Sequence, residues 1–134
     1  MAAKRFAFGR KEKLKSRKQI DELFLTGKSF SIYPLRVTYR FIPSETAAVQ
    51  VGVTVGKKYF KRAVDRNRMK RFMREGYRLQ KADLVELINN KQQSAALFFI
   101  YTGKTLSNFP VIKETMSKCL ERLQKLAEQN EATS

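Results

Sequence analysis

Apolar side chains first recur at helical spacing and then switch to strict alternation. Ile20, Leu23 and Phe24 fall on one side of a helix that begins near Ser16. The pattern stops at Gly27, which predicts a helix ended by a glycine in the left-handed conformation. The sequence therefore predicts a first helix at this end of the chain.

Two alternating segments follow, and their period of two is typical of half-buried strands. Apolar and polar residues alternate over 35–42 and again over 49–56, with Pro43 to Thr46 as the turn between them. We expect these two strands to pair with each other in antiparallel orientation. A third strand over 95–101 is apolar on both faces, which predicts a central position in the sheet.

Helical spacing returns in the remaining segments. A long helix is predicted over 61–79, a short helical turn over 83–88, and a final helix that Asn108 caps with Pro110 in its first turn. The final helix has an apolar stripe that we expect to pack on the sheet, formed by Ile112, Met116, Cys119, Leu120, Leu123 and Leu126.

The length and composition fit one globular domain. The chain has 134 residues and no internal repeat, so we assign residues 1–134 to a single domain, expecting about 13–128 to be ordered and the tails to be flexible. Hydrophobic residues make up 43% of the chain, which excludes an intrinsically disordered protein. The longest near-apolar run, 95–101, is far shorter than the roughly 20 residues that cross a bilayer.

The positive charge is large and concentrated in two segments. Lys and Arg total 28 against 12 acidic residues, a net charge of +16. Residues 1–28 hold 9 basic and 3 acidic side chains and residues 56–81 hold 11 and 2, whereas residues 82–134 hold 6 of each. Such an excess favours a polyanionic partner, either nucleic acid or, less often, an anionic membrane surface. Its concentration favours a shaped binding face over general solvation.

The predicted helix over 61–79 separates apolar from basic residues. Its apolar arc consists of Met69, Phe72, Met73, Gly76 and Leu79. Its basic arc consists of Asn67, Lys70, Arg71, Arg74 and Arg78. Arg66, Lys70, Arg74 and Arg78 recur every four residues, so we predict a row of cations one helical turn apart that contacts several phosphates at once.

The residue types on this helix suit nucleic acid. Arginine binds phosphate through two parallel hydrogen bonds, and Asn67 can donate to and accept from sugars or base edges. The alternative is a solvated charged face, but such faces normally alternate Glu with Lys, and only two acids interrupt this one. Residues 56–62, just before the helix, form a basic loop in which Tyr59 and Phe60 could equally stack on bases or belong to the core.

The chain offers little for covalent chemistry. It contains no histidine and one cysteine, Cys119, which we interpret as a buried hydrophobe in a reducing, cytoplasmic protein. Asp65 or Glu75 could bind Mg²⁺ through water, but helix-start electrostatics or pairing with a neighbouring arginine explains both at least as well. We therefore predict no catalytic residue, no metal ligand and no firmly bound cofactor in this chain.

The quoted segments resemble a known family. Residues 51–58 (VGVTVGKK), followed by 61–71 (KRAVDRNRMKR) and Arg74-Glu75, resemble the protein subunit of bacterial ribonuclease P. The resemblance extends upstream to Phe24 and Gly27 and downstream to the last helix, so it covers nearly the whole domain. It implies an α/β (α+β) two-layer sandwich with a small mixed sheet and a left-handed βαβ crossover, like ribosomal protein S5 domain 2.

The resemblance also implies a function. In this family the protein binds a catalytic RNA subunit and the 5′ leader of precursor tRNA and so promotes endonucleolytic removal of the leader. The RNA subunit holds the Mg²⁺ ions that activate water, and the protein alone is not catalytic. The resemblance further implies a cytoplasmic protein with no membrane contact and no required protein partner.

Carried over by position, the family pattern implies two sets of site residues. The catalytic RNA would be bound by Lys57, Lys58, Lys61, Arg62, Arg66, Asn67, Arg68, Lys70, Arg71, Arg74 and Arg78. The leader cleft would contain Ile20, Phe24, Arg36, Thr38 and Arg40. Ile20 and Thr38 stand where the family often has aromatic residues, so we expect this cleft to bind phosphates with steep salt dependence and little base preference.

Three other functions use the same basic helix. A ribosomal or RNA-assembly protein would only scaffold folded RNA, and a DNA-binding module would bind duplex DNA at physiological salt. Membrane-surface binding is the third, although the basic helix lacks an exposed apolar face.

Overall fold

The computed structural model describes residues 17–43 and 48–129. Expectations about residues 1–16, the turn at 44–47 and the tail from 130 onward lie outside the described residues. Within them the chain forms α1 (Arg17–Thr26), β1 (Lys28–Ile32), β2 (Leu35–Pro43), β3 (Val49–Val55), α2 (Ala63–Gln80), α3 (Ala82–Asn90), β4 (Gln93–Tyr101) and α4 (Phe109–Gln129).

The four strands form one mixed sheet in the order β1-β2-β4-β3. β1 and β2 pair in antiparallel orientation, as do β2 and β4, whereas β3 and β4 are parallel. The chain reaches β4 from β3 through α2 and α3, as a parallel pair requires a crossover connection. The predicted mixed sheet with packed helices is therefore confirmed.

The predicted pairing of β2 with β3 is wrong, because β4 lies between them. Ala95 of β4 is opposite Phe41 of β2 on one side and Val49 of β3 on the other. The predicted central position of that strand is confirmed. β1 is an additional strand that the sequence pattern did not predict, since its alternation of Phe30 and Ile32 with serines is short and mostly polar.

One face of the sheet, here called the inner face, is covered by α2, α3 and α4. Leu97 and Phe99 of β4 are completely buried there, as is Val37 of β2. They belong to one apolar cluster with Met73 of α2 and Met116 of α4. Burial of this cluster supplies most of the driving force for folding.

On the opposite, outer face, α1 is the only covering helix among the residues that the structure describes. Leu23 of α1 and Phe98 of β4 form a small buried cluster, with Ile20 and Ile100 packed at its edge. Gly27 ends α1 as predicted, but no described glycine has a positive φ, so the predicted left-handed conformation is wrong. A Cβ at Gly27 would lie 2.6 Å from the Leu23 carbonyl oxygen and 2.9 Å from that of Tyr39, so close packing of α1 on β2 requires glycine here.

The remaining helices largely follow their predicted patterns. The Asn108 side chain accepts a hydrogen bond from the Val111 amide at 3.0 Å, which confirms it as the cap of α4. Leu79 of α2 is 38% exposed, and Tyr77 is buried in its place. In α4, Leu126 is only half-buried, and Ala127 completes the buried stripe.

Candidate RNA-binding surfaces

Four polar or cationic side chains of α2 lie exposed on one face of the helix. Asn67, Arg68, Arg71 and Arg74 line a shallow concavity of about 480 Å³, together with Val64 and Asp65. We call the four polar side chains the α2 face. The opposite side of the helix buries Met69, Met73, Gly76 and Tyr77.

The predicted row at every fourth residue does not coincide with this face. An α-helix turns about 100° per residue, so a step of four residues drifts by about 40°, and three such steps drift by about 120°. Arg66 and Lys70, at one end of the row, are accordingly half-buried. At the other end, Arg78 forms an ion pair with Glu75. In the α2 face, Asn67, Arg71 and Arg74 combine a step of four with a step of three and so span only about 60°, and Arg68 lies beside them, about 60° from Arg71.

Arg66 points back toward the loop that precedes α2. Its guanidinium donates hydrogen bonds to the carbonyl oxygens of Phe60 at 2.7 Å and Lys61 at 2.8 Å. The first arginine of the Arg-Asn-Arg sequence is therefore bound to its own chain, whereas Asn67 and Arg68 are exposed.

The basic loop presents one aromatic residue and buries the other. Phe60 is 7% exposed and packs on Tyr101, with 5.7 Å between ring centroids. Tyr59 is 46% exposed, with Lys58 Nζ 5.4 Å and Lys104 Nζ 5.8 Å from its ring centroid. Lys57, Lys58, Lys61 and Arg62 are all exposed. Lys104 was not predicted, because the loop that contains it is remote in sequence.

On the outer face, two sides of α1 meet different residues: Phe24 contacts Phe98, whereas Glu22 pairs with Arg40. The first groove, here called the Phe24 groove, contains Ile20 and Phe24 of α1 above Phe98 and Ile100 of β4. The Phe24 ring is 47% exposed and stands edge-on to Phe98, 5.3 Å between centroids. Exposed Arg36 is the cross-strand neighbour of Ile100 on the same face.

The second groove, here called the Arg40 groove, lies on the other side of α1. It has a volume of about 300 Å³ and is lined by residues that include Gln19, Glu22, Arg40, Gln50 and Ala96. The Arg40 guanidinium forms an ion pair with Glu22 of α1 at 3.1 Å. Arg36 and Arg40 are separated by four strand residues, about 13 Å, and α1 packs between them.

The five residues predicted for one cleft are thus not all brought together. Ile20 and Phe24 lie in the Phe24 groove, Arg36 neighbours its Ile100 across the strands, and Arg40 is in the other groove. Thr38 lies opposite Phe98 but is only 4% exposed, because α1 covers it. Phe98 was not predicted as a groove residue, although its alternate position in the strand over 95–101 is the signal that could have identified it.

Two buried side chains, Cys119 and Tyr101, have raised pKa values. Burial raises the pKa of the Cys119 thiol to about 12, against a smaller opposing effect of Arg122. Burial, and secondarily the nearby Tyr33, raises the pKa of Tyr101, whose hydroxyl donates to the Thr105 carbonyl at 2.6 Å. Both shifts favour the neutral form.

Residues 17–43 and 48–129 contain neither a metal-binding cluster nor a membrane-spanning helix. This part of the chain brings no three acidic, cysteine or histidine side chains together in a way that could hold a metal ion. Nor does it contain a helix that is both long enough and apolar enough to span a bilayer.

A family model described as Ribonuclease P matches residues 8–124 of the chain. The chain belongs to the ribonuclease P protein family. The ribonuclease P protein component of Porphyromonas gingivalis is 40% identical over 119 residues, which cover 88% of this chain and 87% of that protein. The corresponding protein of Chlorobium phaeobacteroides is 31% identical, with 84% of each chain covered.

Solved structures of ribonuclease P proteins share the fold. The protein from Thermotoga maritima has a TM-score of 0.65 at 24% identity, covering 83% of this chain and 96% of that one. The protein from Staphylococcus aureus has a TM-score of 0.57 at 19% identity, covering 87% and 94%. The resemblance and fold class predicted from the sequence are confirmed. As a ribonuclease P protein, this chain is an RNA-binding component of a ribonucleoprotein that acts in tRNA processing.

Proposed function

We propose that the chain binds the catalytic RNA of ribonuclease P through the α2 face and the loop before it, and holds the 5′ leader of precursor tRNA in the Phe24 groove. Holding the leader promotes its endonucleolytic removal, which gives the mature 5′ end. The observation that supports this most is the exposed cluster of Asn67, Arg68, Arg71 and Arg74 on one helix face. Three guanidinium groups so close together suit the phosphates of a folded RNA.

Binding, not covalent chemistry, is the contribution we assign to this chain. The RNA subunit, with Mg²⁺ bound to it, supplies the water-activating chemistry, and the complex acts in the cytoplasm. The exposed cations of α2 raise the rate and affinity of assembly, because a surface of one charge sign steers a polyanion toward it.

The Phe24 groove suits single-stranded RNA for two reasons. The Phe24 ring is half exposed while Phe98 supports its edge, so one aromatic face remains accessible to a base. Arg36, the cross-strand neighbour of Ile100, adds an exposed cation, and it also donates to the Ser29 hydroxyl at 3.3 Å. Arg40 contributes less in this proposal, because Glu22 neutralises it on the far side of α1.

Reconstitution with the cognate catalytic RNA tests the proposal. The complex should bind precursor tRNA with a leader more tightly than the same tRNA with none, and it should cleave the leader faster than the RNA alone. Arg36→Ala should weaken binding of the leader-containing substrate and leave the leaderless one unchanged. Arg40→Ala is the matched control, with the same charge change and a smaller expected loss.

Three outcomes would contradict all or part of this function. Binding of the catalytic RNA without any gain in cleavage would instead favour an RNA-assembly scaffold. Equal losses of affinity for both substrates after Arg36→Ala would contradict the assignment of the leader to the Phe24 groove. Competition by duplex DNA at physiological salt would favour a DNA-binding module.

A further inference from the structure

The loop of residues 57–62 is fixed to the rest of the domain at two places. At one, Phe60 is buried against Tyr101, whose hydroxyl is bonded to the Thr105 carbonyl. At the other, Arg66 Nη1 donates to the carbonyl oxygens of Phe60 and Lys61 at 2.7 and 2.8 Å. The exposed side chains of Lys57, Lys58 and Tyr59 precede the segment that these contacts hold.

The Arg66 contacts hold the chain at the start of α2, where no side chain caps the helix, although they bind carbonyl groups and not the amide groups that a cap would bind. Arg62 is the N-cap residue of α2 and its side chain forms no capping hydrogen bond. The chain just before a helix normally gains its direction from such a cap. Here the direction is set by a cation one turn inside the helix that reaches back to two carbonyl groups, and hydrogen bonds from a charged donor are stronger than neutral ones.

We propose that Arg66 is a positioning residue, which holds the loop of residues 57–62 in the conformation that presents Lys57, Lys58 and Tyr59 to RNA. Arg66 acts through the loop and does not itself bind a phosphate. This inference rests on the proposed function, because the partner of the loop is taken to be the catalytic RNA. The proposed role of Arg66 differs from that of Arg68, which lies exposed on the α2 face and is proposed to bind RNA directly.

The first test needs no RNA. Backbone order parameters of residues 57–62 are measured by NMR in the wild type, in Arg66→Met and in the matched control Arg68→Met. We expect values near 0.8 in the wild type and the control, falling below about 0.6 in Arg66→Met as the loop becomes flexible. Unchanged order parameters in a folded Arg66→Met protein would overturn the proposal. If that variant does not fold, Arg66→Gln, which keeps an amide donor, should show an intermediate loss.

The second test is a double-mutant cycle on affinity for the catalytic RNA. Arg66→Met alone should weaken binding about as much as Lys57→Ala and Lys58→Ala together. Combining all three changes should add less than about twofold, because the loop contacts are already lost. Fully additive losses would mean that Arg66 contacts RNA directly. Arg68→Met should be additive with the loop changes.

The two tests distinguish this inference from the proposed function. A wild-type protein that does not bind the catalytic RNA would refute the proposed function and, with it, the RNA part of this inference. Normal wild-type binding with additive losses would overturn the positioning role alone.

Discussion

The two faces of the sheet are covered to very different extents. The inner face is sealed by three helices over a cluster that includes Leu97 and Phe99, both with no exposed surface. Within residues 17–43 and 48–129, the outer face is covered only by α1, which buries Leu23 and Phe98 and leaves Phe24 half exposed. The same strand, β4, contributes alternate residues to both faces, so one element serves stability on one side and binding on the other.

The two faces of the sheet also differ in the charged residues that lie beside them. The apolar cluster on the inner face includes the neutral thiol of Cys119, whereas Arg36 and Arg40 lie beside the two grooves of the outer face. In the described part of the chain, helices close one side of the sheet and a single helix packs on the other, an arrangement that leaves room for binding without weakening the core. The following experiments test this contrast, from the largest expected effect to the smallest.

The inner face should protect Cys119 from alkylation. A shift of the thiol pKa from 9.0 to about 12 lowers the thiolate fraction at pH 8, so we expect iodoacetamide to react about 1000-fold more slowly with the native than with the unfolded protein. The folded state keeps a proton that the unfolded state loses between pH 9 and 12, so this thiol lowers the free energy of unfolding as the pH rises through that window. Equal rates in native and denatured protein would contradict the sealed inner face.

Truncation of neighbouring phenylalanines on β4 compares the two faces directly. Phe99→Ala leaves a cavity in the inner cluster and should lower the free energy of unfolding by about 3–5 kcal/mol. Phe98→Ala, on the outer face, should lower it by only about 1–2 kcal/mol. Urea denaturation of both variants measures the difference. Equal losses would mean that α1 contributes as much to the core as the other three helices.

A substitution in the Phe24 groove should affect RNA binding much more than the free energy of unfolding. Phe24→Ala should weaken binding of leader-containing precursor tRNA by about 10-fold, because stacking of one base on an aromatic ring contributes about 1–3 kcal/mol. Leu25→Ala is the matched control, since Leu25 is adjacent on α1 and 85% exposed. Fluorescence titration with and without a leader measures both. A comparable loss in the control would exclude specific stacking in the groove.

Most secondary structure could be predicted from the sequence because it is set by local periodicity. The run over 95–101, apolar on both faces, predicted the central strand, and Asn108 followed by Pro110 predicted the start of α4. Strand order could not be predicted, because β2 and β3 have the same alternating pattern whichever neighbour they pair with. The antiparallel pairing expected between them rested on their proximity in sequence alone.

The sequence predicted which elements carry the candidate RNA-binding residues, but not the direction in which individual arginine side chains point. The charge pattern identified α2, yet it could not show that Arg66 turns to the carbonyls of Phe60 and Lys61, because both an exposed and an inward arginine fit a basic helix. Likewise, Arg36 and Arg40 both alternate outward on β2. Only the position of α1 across the sheet separates their grooves.

The central claim is that the α2 face binds the catalytic RNA through several phosphates. Its most direct test is the salt dependence of that binding for the wild type and for a variant with Arg68, Arg71 and Arg74 all changed to alanine. A control variant with Lys113, Lys118 and Lys125 of α4 changed to alanine loses the same charge. Each lost phosphate contact lowers the slope of log affinity against log salt by about 0.7–0.9, so we predict a decrease of about 2–3 for the α2 variant and little change for the control. Equal slopes for the two folded variants would contradict the account.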